Sequence, residues 1–326
     1  MIITRSPLRI SLGGGGTDLP SFYRLEDGFV LAAAIDRYVY TSISRPFSTG
    51  INLKYSQLES VSTVSQVQHP IIRECLKLMN LNSPQIEIST IADIPSGTGL
   101  GSSGSFTTGL LKGLFAHYKK SIQADKLAEL ACRIEIDLLN EPVGKQDQYI
   151  AAFGGITEFI FKTNGEVKTN ALHLPQQVMF DLEDNLLLFF TGISRKASSI
   201  LLDQDVKSKE SDQHMLKNLQ RIKLIGLKSR DALQLSDLET FGGLMHEHWI
   251  YKRERTKGMS NSHIDDWYKI ARDNGAIGGK LVGAGGGGFL MFYASDPNKL
   301  RSAMSKIGLE EMRFKFEFEG TKVVHS

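Results

Sequence analysis

Several short segments of the chain either alternate hydrophobic and polar positions or contain uninterrupted apolar residues. Combined with β-branched and aromatic residues, these patterns predict β-strands. The segments predicted as strands are Met1–Leu12, Phe29–Ile35, Tyr38–Ser44, Gln85–Ile91, Leu186–Phe190 and Arg313–Val324. The uninterrupted run Leu186–Phe190 predicts a buried strand that opens the second half of the protein.

Helices are predicted where apolar residues recur every three or four positions. The segments with this spacing are 106–118, Asp125–Leu139, Asp212–Leu235, Leu238–Lys252 and Ile264–Asn274. Pro142 is expected to end the second of them, because the residue before a proline is disfavoured in a helix.

Two domains are expected from the length of 326 residues and from one polar stretch, Thr163–Gln177. A boundary there gives an N-terminal domain of residues 1–175 and a C-terminal domain of residues 176–326. Both halves mix strands and helices without a regular βαβ rhythm, so the predicted fold class is α+β.

Composition narrows the functional classes. An apolar fraction of 41% and a charged fraction of 23% are typical of a globular protein. The formal net charge of +2 gives no support for binding to nucleic acid or to a membrane surface. Without a run of about 18 apolar residues, no membrane span is expected. Cys75 and Cys132 lie in predicted helices and are expected to be reduced, which makes a cytoplasmic location the default.

Glycine is concentrated in three clusters, Gly13–Gly16, Gly97–Gly104 and Gly283–Gly288. The second is the most informative, because the segment Pro95–Ser105 follows a predicted strand and opens a predicted helix. Main-chain N–H groups at a helix N-terminus are unpaired and attract anions, and glycines let a polyphosphate approach them. This context predicts a phosphate-binding loop in which the serine hydroxyls bind phosphate oxygens or Mg²⁺.

A dinucleotide-binding fingerprint is the rival interpretation, since Gly99, Gly101 and Gly104 satisfy G-x-G-x-x-G. That fingerprint also needs an acidic residue at the end of the next strand, and the nearest candidate, Asp125, begins a helix. A nicotinamide-dependent oxidoreductase is therefore disfavoured. No G-x-x-x-x-G-K-[ST] motif is present, which excludes an ordinary P-loop.

Three segments in order, Ser6–Asp18, Pro95–Ser105 and Lys280–Phe289, resemble the GHMP kinases. This superfamily includes galactokinase, homoserine kinase, mevalonate kinase and phosphomevalonate kinase. The resemblance implies a two-domain α+β fold, with an N-terminal domain like the second domain of ribosomal protein S5 and a ferredoxin-like C-terminal domain. It also implies ATP and Mg²⁺ as cofactors. The residues implied to bind ATP are Pro95, Gly97, Gly99, Leu100, Gly101, Ser102, Ser103, Gly104 and Ser105.

Within the family, four segments resemble the D-glycero-D-manno-heptose 7-phosphate kinases. They are Gly13–Asp18, Gly144–Tyr149, Thr191–Arg195 and Gly258–Asn261. The implied reaction moves the γ-phosphate of ATP to the anomeric hydroxyl of a sugar phosphate. Galactokinases have a Glu-His pair before the Thr-Asp of the first segment, where this chain has Gly15 and Gly16. That departure argues against galactose as the substrate.

Four residues are candidates for the chemistry. By its family position, Asp147 is implied to be the general base, although it could also cap a short helix. Arg9 is implied to assist it by polarising the attacking hydroxyl or by keeping Asp147 ionised. Ser103 and Glu135 are implied to be the Mg²⁺ ligands, and a border salt bridge is the alternative for Glu135.

Several residues are candidates for the acceptor. Asp18 is expected to accept hydrogen bonds from sugar hydroxyls, and cationic side chains are expected to bind the phosphate of the acceptor. The full set is Gly15, Gly16, Thr17, Asp18, Arg195, Lys252, Arg253, Gly285 and Gly286. The basic run that contains Lys252 and Arg253 could instead be a solvated helix face.

Two other functions stay open at this point. One is a kinase for a free sugar such as L-fucose or galactose. The other is a kinase-derived sensor that binds ATP and sugar without turnover. The small-molecule partners are ATP and a sugar phosphate, and the protein is expected to be a monomer or a homodimer.

Overall fold

The computed structural model describes residues 1–194, 198–210, 212–256 and 258–326. The strands are β1 (Ile2–Gly13), β2 (Gly28–Ser44), β3 (Ile51–Lys54), β4 (Leu58–Val61), β5 (Ile86–Ala92), β6 (Ile156–Phe161), β7 (Val167–Ala171), β8 (Leu186–Phe190), β9 (Ala276–Leu281), β10 (Phe289–Ala294), β11 (Glu310–Met312) and β12 (Lys322–His325). The helices are α1 (Pro20–Tyr23), α2 (Pro70–Leu78), α3 (Ser102–His117), α4 (Ala124–Cys132), α5 (Gln146–Phe153), α6 (Gln176–Asn185), α7 (Ser198–Lys209), α8 (Gln213–Gln234), α9 (Leu238–Arg255), α10 (Ser262–Asp273) and α11 (Pro297–Lys306).

The first sheet is organised around the long strand β2. Its order is β12-β1-β2-β5-β3-β4, and β6 also pairs with β2 and carries β7. Only the β3–β5 pair is parallel among the strand pairs of the described residues. Residues 28–33 of β2 pair with β6, and residues 39–44 pair with β5, so one strand serves two neighbours on the same side. Helix α3 packs on β1 and β2 and is buried along most of its length.

The second sheet is smaller and lies in the second half of the chain. Its order is β11-β8-β10-β9, and the pairs are antiparallel. Its central strands β8 and β10 are almost wholly buried, which agrees with their uninterrupted apolar sequences. Trp249 of α9 and Phe292 of β10 are among the fully buried side chains of this part of the core.

Most of the predicted elements are confirmed within one to three residues. The strands Met1–Leu12, Gln85–Ile91 and Leu186–Phe190 are present, and the two predicted segments between 29 and 44 form the single strand β2. The predicted helix Asp125–Leu139 is divided into α4 and a π-helical segment, Arg133–Leu138. It ends before Pro142, as expected.

Two predicted segments are wrong in part. The tail Arg313–Val324 is not one strand, because only β12 and a single bridge between Ile35 and Phe316 form ladder contacts there. The polar stretch Thr163–Gln177 is not simply a linker, since β7 within it pairs with β6.

The division into residues 1–175 and 176–326 stays a prediction. Strand β12 pairs with β1, so the end of the chain returns to the first sheet. Helix α8 also packs against β1 and β2, where the α-carbon of Gly226 lies so close to Gly13 that a β-carbon on Gly13 would be 2.8 Å from it.

Among the described residues, no helix combines the length and the apolar character that crossing a membrane requires.

Candidate active site

A cavity of about 1170 Å³ brings the three glycine clusters together. Its walls include the end of β1, the N-termini of α3 and α5, the C-terminal part of α9 and the end of β9. A cavity of this size is large enough for two small ligands side by side. Its polar groups therefore decide what it can bind.

The loop before α3 presents main-chain donors to this cavity. Among the described residues, no main-chain N–H from Ser96 to Gly104 donates to a main-chain carbonyl. Gly97, Gly99 and Gly101 have φ values of 78°, 83° and 76°, in the left-handed region that glycine adopts without strain. The unpaired N–H groups and the helix dipole make this loop suitable for an anion.

The predicted ATP-binding residues divide into two groups. Pro95, Gly97, Gly99, Gly101, Ser102 and Ser103 line the cavity. Leu100, Gly104 and Ser105 do not, because Leu100 lies in the core and Ser105 donates its hydroxyl to the Pro7 carbonyl at 2.6 Å. Gly104 lies against α5, where an added β-carbon would be 2.8 Å from the Asp147 backbone. These three residues support the loop from behind.

Asp147 and Arg9 form a two-pronged ion pair at the wall of the cavity. Arg9 Nε lies 2.8 Å from Asp147 Oδ1, and Nη2 lies 3.0 Å from Oδ2. Arg9 also donates from Nη1 to the Gly99 carbonyl at 2.5 Å, so it joins the acid to the loop. Asp147 lies in the first turn of α5 and not in a loop, and its side chain is 30% exposed. The carboxylate is thus oriented and still accessible from the cavity.

Glu135 and Ser103 form a second polar pair at the start of α3. The Ser103 hydroxyl donates to Glu135 Oε2, and Gln148 Nε2 donates to Oε1 at 3.0 Å. Glu135 is buried on the π-helical segment and does not pair with Arg133 as a border residue would. Burial raises the pKa of Glu135, and the hydrogen bonds from Ser103 and Gln148 oppose that shift.

The first glycine cluster holds Asp18 in place. Asp18 Oδ1 accepts from the N–H of Gly16 at 3.0 Å, and Oδ2 accepts from the N–H of Gln146 at 3.1 Å. Burial raises the pKa of Asp18, and the nearby Asp147 carboxylate adds to the shift. Gly144 has no room for a β-carbon because Asp18 occupies that space. Asp18, Gly15 and Gly16 all line the cavity.

Thr17 does not face the cavity, which corrects its prediction as a substrate contact. It is completely buried, and its hydroxyl lies 2.9 Å from the Gly14 carbonyl and 2.8 Å from the Phe29 carbonyl, which share its single proton, while it accepts from the Phe29 N–H. It therefore fixes the turn that presents Asp18.

The predicted cations have different surroundings. Lys252 is buried and lines the cavity, where its ammonium group donates to the carbonyls of Leu281 at 2.7 Å and Gly283 at 2.5 Å. Arg253 is 40% exposed and pairs with Asp265 at 3.0 Å outside the cavity, so its prediction as a substrate contact is wrong. Arg195 lies outside the described residues.

The third glycine cluster is only partly available to a ligand. Gly285 lines the cavity. Gly286 is buried and its N–H donates to the Met259 carbonyl at 2.9 Å, so it cannot bind the substrate as predicted.

Comparison with known proteins identifies the family. Models of the N-terminal and C-terminal domains of GHMP kinases match residues 70–155 and 229–309. A D-glycero-alpha-D-manno-heptose 7-phosphate kinase from Campylobacter jejuni is 32% identical over 98% of this chain and 98% of its own length. The chain belongs to the GHMP kinase family.

Two further relatives widen the comparison. A bifunctional fucokinase/GDP-fucose pyrophosphorylase from Arabidopsis thaliana is 26% identical over 92% of this chain and 30% of its own length. The crystal structure of a D-glycero-D-manno-heptose 1-phosphate kinase from Bacteroides thetaiotaomicron has a TM-score of 0.82. It is 24% identical and covers 100% of this chain and 99% of its own. The protein is therefore a phosphotransferase with the two-domain α+β fold of GHMP kinases.

Sequence reasoning missed several groups that this GHMP kinase presents to the cavity. They are Ser11, Gln146, Gln204, His248, Arg255 and Lys280. The Ser11 hydroxyl and Gln146 Oε1 are buried and have no hydrogen-bond partner among the described residues. One signal was available, because His248, Lys252 and Arg255 are spaced by four and three residues and must share a face of α9.

Proposed function

We propose that the protein transfers the γ-phosphate of ATP to the anomeric hydroxyl of D-glycero-D-manno-heptose 7-phosphate, which gives the 1,7-bisphosphate. The observation that supports this most directly is the Asp147 carboxylate, which Arg9 orients beside the loop Ser96–Gly104. The main-chain N–H groups of this loop, the phosphate cradle, have no main-chain acceptors among the described residues. Phosphoryl transfer to a hydroxyl requires a proton acceptor for the hydroxyl and a site that holds the phosphates next to it.

The cradle residues fit the triphosphate of ATP. The N–H groups from Ser96 to Gly104 lack main-chain acceptors in the described chain, and a polyphosphate supplies oxygens in excess. The described residues contain no cluster of three or more acidic, histidine or cysteine side chains that could hold a metal ion. Mg²⁺ prefers one or two carboxylates together with substrate phosphates, and Glu135 with Ser103 supplies the protein part of that set. When bound, Mg²⁺ neutralises the phosphate charge that develops during transfer.

Asp147 accepts the proton of the anomeric hydroxyl in this proposal. Arg9 keeps both carboxylate oxygens aligned, and it ties the acid to the Gly99 carbonyl of the cradle. The attacking hydroxyl and the loop that binds the phosphate donor are thereby held in a fixed relative position, and such alignment supplies much of the catalysis in phosphoryl transfer.

The acceptor sugar fits the part of the cavity lining that contains Ser11, Gly15, Asp18 and Gln146, the acceptor wall. Asp18, the Ser11 hydroxyl and Gln146 Oε1 line the cavity there, and the last two have no hydrogen-bond partner in the described residues. Buried polar atoms without partners are costly, and sugar hydroxyls would satisfy them. Gly16 gives the Arg255 guanidinium room to lie against this loop, because a β-carbon there would be 2.4 Å from Arg255 Nη1.

Two observations support an acceptor that already carries a phosphate. One is the similarity to the heptose 7-phosphate kinase from Campylobacter jejuni, and the other is a set of buried cations that line the same cavity. Lys252, Arg255 and Lys280 line the cavity, and none of them has an ion-pair partner among the described residues. The fucokinase relative keeps a free sugar, L-fucose or galactose, as the second candidate. ATP as the donor agrees with the cytoplasmic location predicted from the sequence.

The test is a panel of heptose and hexose phosphates and their unphosphorylated forms, each incubated with ATP and Mg²⁺. We expect ADP release and a new anomeric phosphate, detected by ³¹P NMR, with D-glycero-D-manno-heptose 7-phosphate as the best acceptor. ADP release that is faster with L-fucose or galactose would replace the leading function by the second. ATP binding without turnover of any sugar would contradict both.

A further inference from the structure

Three buried cations line the cavity, and Arg255 contacts the acceptor wall through Gly15. Lys252, Arg255 and Lys280 are 6%, 6% and 2% exposed, and all three line the cavity. Their hydrogen-bond acceptors in the described residues are neutral. Lys252 binds two carbonyls, and Lys280 donates to the Leu12 carbonyl at 3.1 Å and contacts His248 Nδ1 at 3.0 Å.

Arg255 is bound in the same way. Nη1 donates to Gln204 Oε1 at 2.9 Å, Nη2 to the Gly15 carbonyl at 3.3 Å, and Nε to Asn218 Oδ1 at 3.4 Å. None of these acceptors carries a charge. Arg9, by contrast, is neutralised by Asp147. Arg255 has no ion-pair partner among the described residues, and the Asp18 carboxylate of the same cavity offsets its charge only in part, because burial still lowers the pKa of Arg255.

Neutral acceptors satisfy the hydrogen bonds of a buried cation, but they do not offset the free energy that is lost when its charge is removed from water. Burial lowers the pKa of Arg255 to about 10 and that of Lys280 to about 7, and it lowers the pKa of Lys252 strongly. A bound anion would reverse these shifts. A side chain that only clamps the loop would need no permanent charge.

The position of Arg255 distinguishes it from the ATP cradle. It contacts Gly15, and Gln204, which orients it, donates to the Gly16 carbonyl at 2.9 Å. These are residues of the loop that presents Asp18. Lys252 lies nearer the cradle, because the Gly283 backbone to which it donates packs against Gly99.

We propose that Arg255, held by Gln204 and the Gly15 carbonyl, binds the phosphate that the acceptor already carries, and so selects phosphorylated over unphosphorylated sugars. This inference rests on the proposed function. Three of the five N–H groups of Arg255 have partners in the described residues, which leaves one N–H on Nη1 and one on Nη2 to donate to phosphate oxygens.

The experiment compares wild type, Arg255→Gln and the matched control Arg253→Gln, which changes an exposed arginine of the same helix that points away from the cavity. Acceptors are D-glycero-D-manno-heptose 7-phosphate and unphosphorylated D-glycero-D-manno-heptose. For Arg255→Gln we expect kcat/KM to fall about 100-fold with the phosphorylated acceptor, mainly through KM. With the free heptose, kcat/KM should change less than about threefold. The KM for ATP should also change less than about threefold.

Other outcomes overturn the inference in recognisable ways. Equal losses with both sugars would make Arg255 a structural clamp, and a raised KM for ATP alone would assign it to the nucleotide. If wild type phosphorylates both sugars equally well, the inference fails while the kinase function stands. The inference could also hold while the proposed function fails, and calorimetric titration of both sugars without ATP tests that case. If the phosphorylated sugar binds in an Arg255-dependent way but is not turned over, only the proposed function is contradicted.

A second variant guards against misfolding of Arg255→Gln. Gln204→Met leaves the charge of Arg255 in place but removes the acceptor that orients it. We expect a loss about tenfold larger with the phosphorylated acceptor than with the free heptose, together with a lower thermal unfolding temperature, because buried Gln204 also donates to the Gly16 carbonyl. An equal loss with both acceptors would contradict the role of Arg255.

Discussion

Two glycine-rich loops meet in the cavity, and they use their backbones in opposite ways. In the loop from Ser96 to Gly104, no main-chain N–H has a main-chain acceptor within the described residues. In the loop Gly283–Gly288, Gly286 donates to Met259 at 2.9 Å and Gly288 donates to Ile193 at 2.8 Å. Glycine content alone therefore does not identify a ligand loop. The distinguishing property is whether the amides are still available.

The two loops also touch each other. A β-carbon on Gly283 would be 2.5 Å from the α-carbon of Gly99, and one on Gly288 would collide with the Thr98 carbonyl. The loop Gly283–Gly288, the second loop of this comparison, thus supports the loop Ser96–Gly104, the first loop, from behind. Changes in the first loop should alter ligand binding and catalysis, and changes in the second should alter stability.

The largest expected effect follows from removing the acid that faces the first loop. Asp147→Asn should lower kcat about 10³-fold, because the hydroxyl loses its proton acceptor, while the KM for ATP changes less than about threefold. Steady-state kinetics with saturating ATP measure this effect. Asp125→Asn, an exposed acid at the start of α4, is the control and should keep wild-type kinetics. Turnover by Asp147→Asn at the wild-type rate would remove Asp147 from the mechanism.

The second loop should respond in stability. Gly288 has a φ of 94°, and a β-carbon there meets the Thr98 carbonyl. Gly288→Ala should therefore lower the free energy of unfolding by about 3 kcal/mol, measured by urea denaturation. Gly243→Ala is the control and should not lower the stability, because no atom outside its own helical turn lies within 4 Å of a β-carbon at that position. A Gly288→Ala protein that is as stable as wild type would argue against the supporting role.

The first loop should respond in affinity. Ser102→Pro removes one unpaired N–H at the first position of α3, where proline is tolerated. The dissociation constant for ATP should rise about tenfold, the worth of one hydrogen bond to a charged group, and the unfolding temperature should change little. Calorimetric titration with ATP measures the first quantity. Unchanged affinity would mean that the Ser102 amide does not contact the nucleotide.

The sequence predicted the first loop because a local pattern encodes it. A strand, a glycine-serine loop and a helix follow one another, so the position of Ser102 and Ser103 at a helix N-terminus depends on neighbouring residues alone. Leu100, Gly104 and Ser105 were assigned to the same surface, although the helix turns them towards the core and α5. A loop pattern identifies the segment but not the side of the backbone that the ligand meets.

The acceptor wall was harder to predict because it depends on distant elements. Arg255 meets Gly15 across 240 positions of the chain, and Lys280 meets the Leu12 carbonyl across 268. No local periodicity reports such contacts. Arg253 was predicted from the sequence, and Arg255 was not considered. Both lie in one basic run, and only the packing of α9 shows that Arg255 is the buried one.

The smallest expected effect concerns pH and the residue that leads into the second loop. Lys280 has a pKa of about 7 in the folded protein because of burial, against an ordinary value of 10.5. Between these values the unfolded chain keeps a proton that the folded chain has released, so stability rises with pH in this window. Lys280→Met should reduce that rise by about 1 kcal/mol between pH 7 and pH 8. Urea denaturation at several pH values provides the measurement, and an unchanged slope would contradict a charge-bearing role for Lys280.

Strand β12 pairs with β1, so the outermost seam of the first sheet joins residues near opposite ends of the chain. During synthesis, the free edge of β1 has no permanent neighbour until residues 322–325 have left the ribosome. Until those residues are made, residues 3–5 of β1 keep one strand edge open to wrong pairing. Folding of the first sheet should accordingly be completed only after residues 322–325 have been synthesised, and chaperones that shield exposed strands should raise the yield of this kinase.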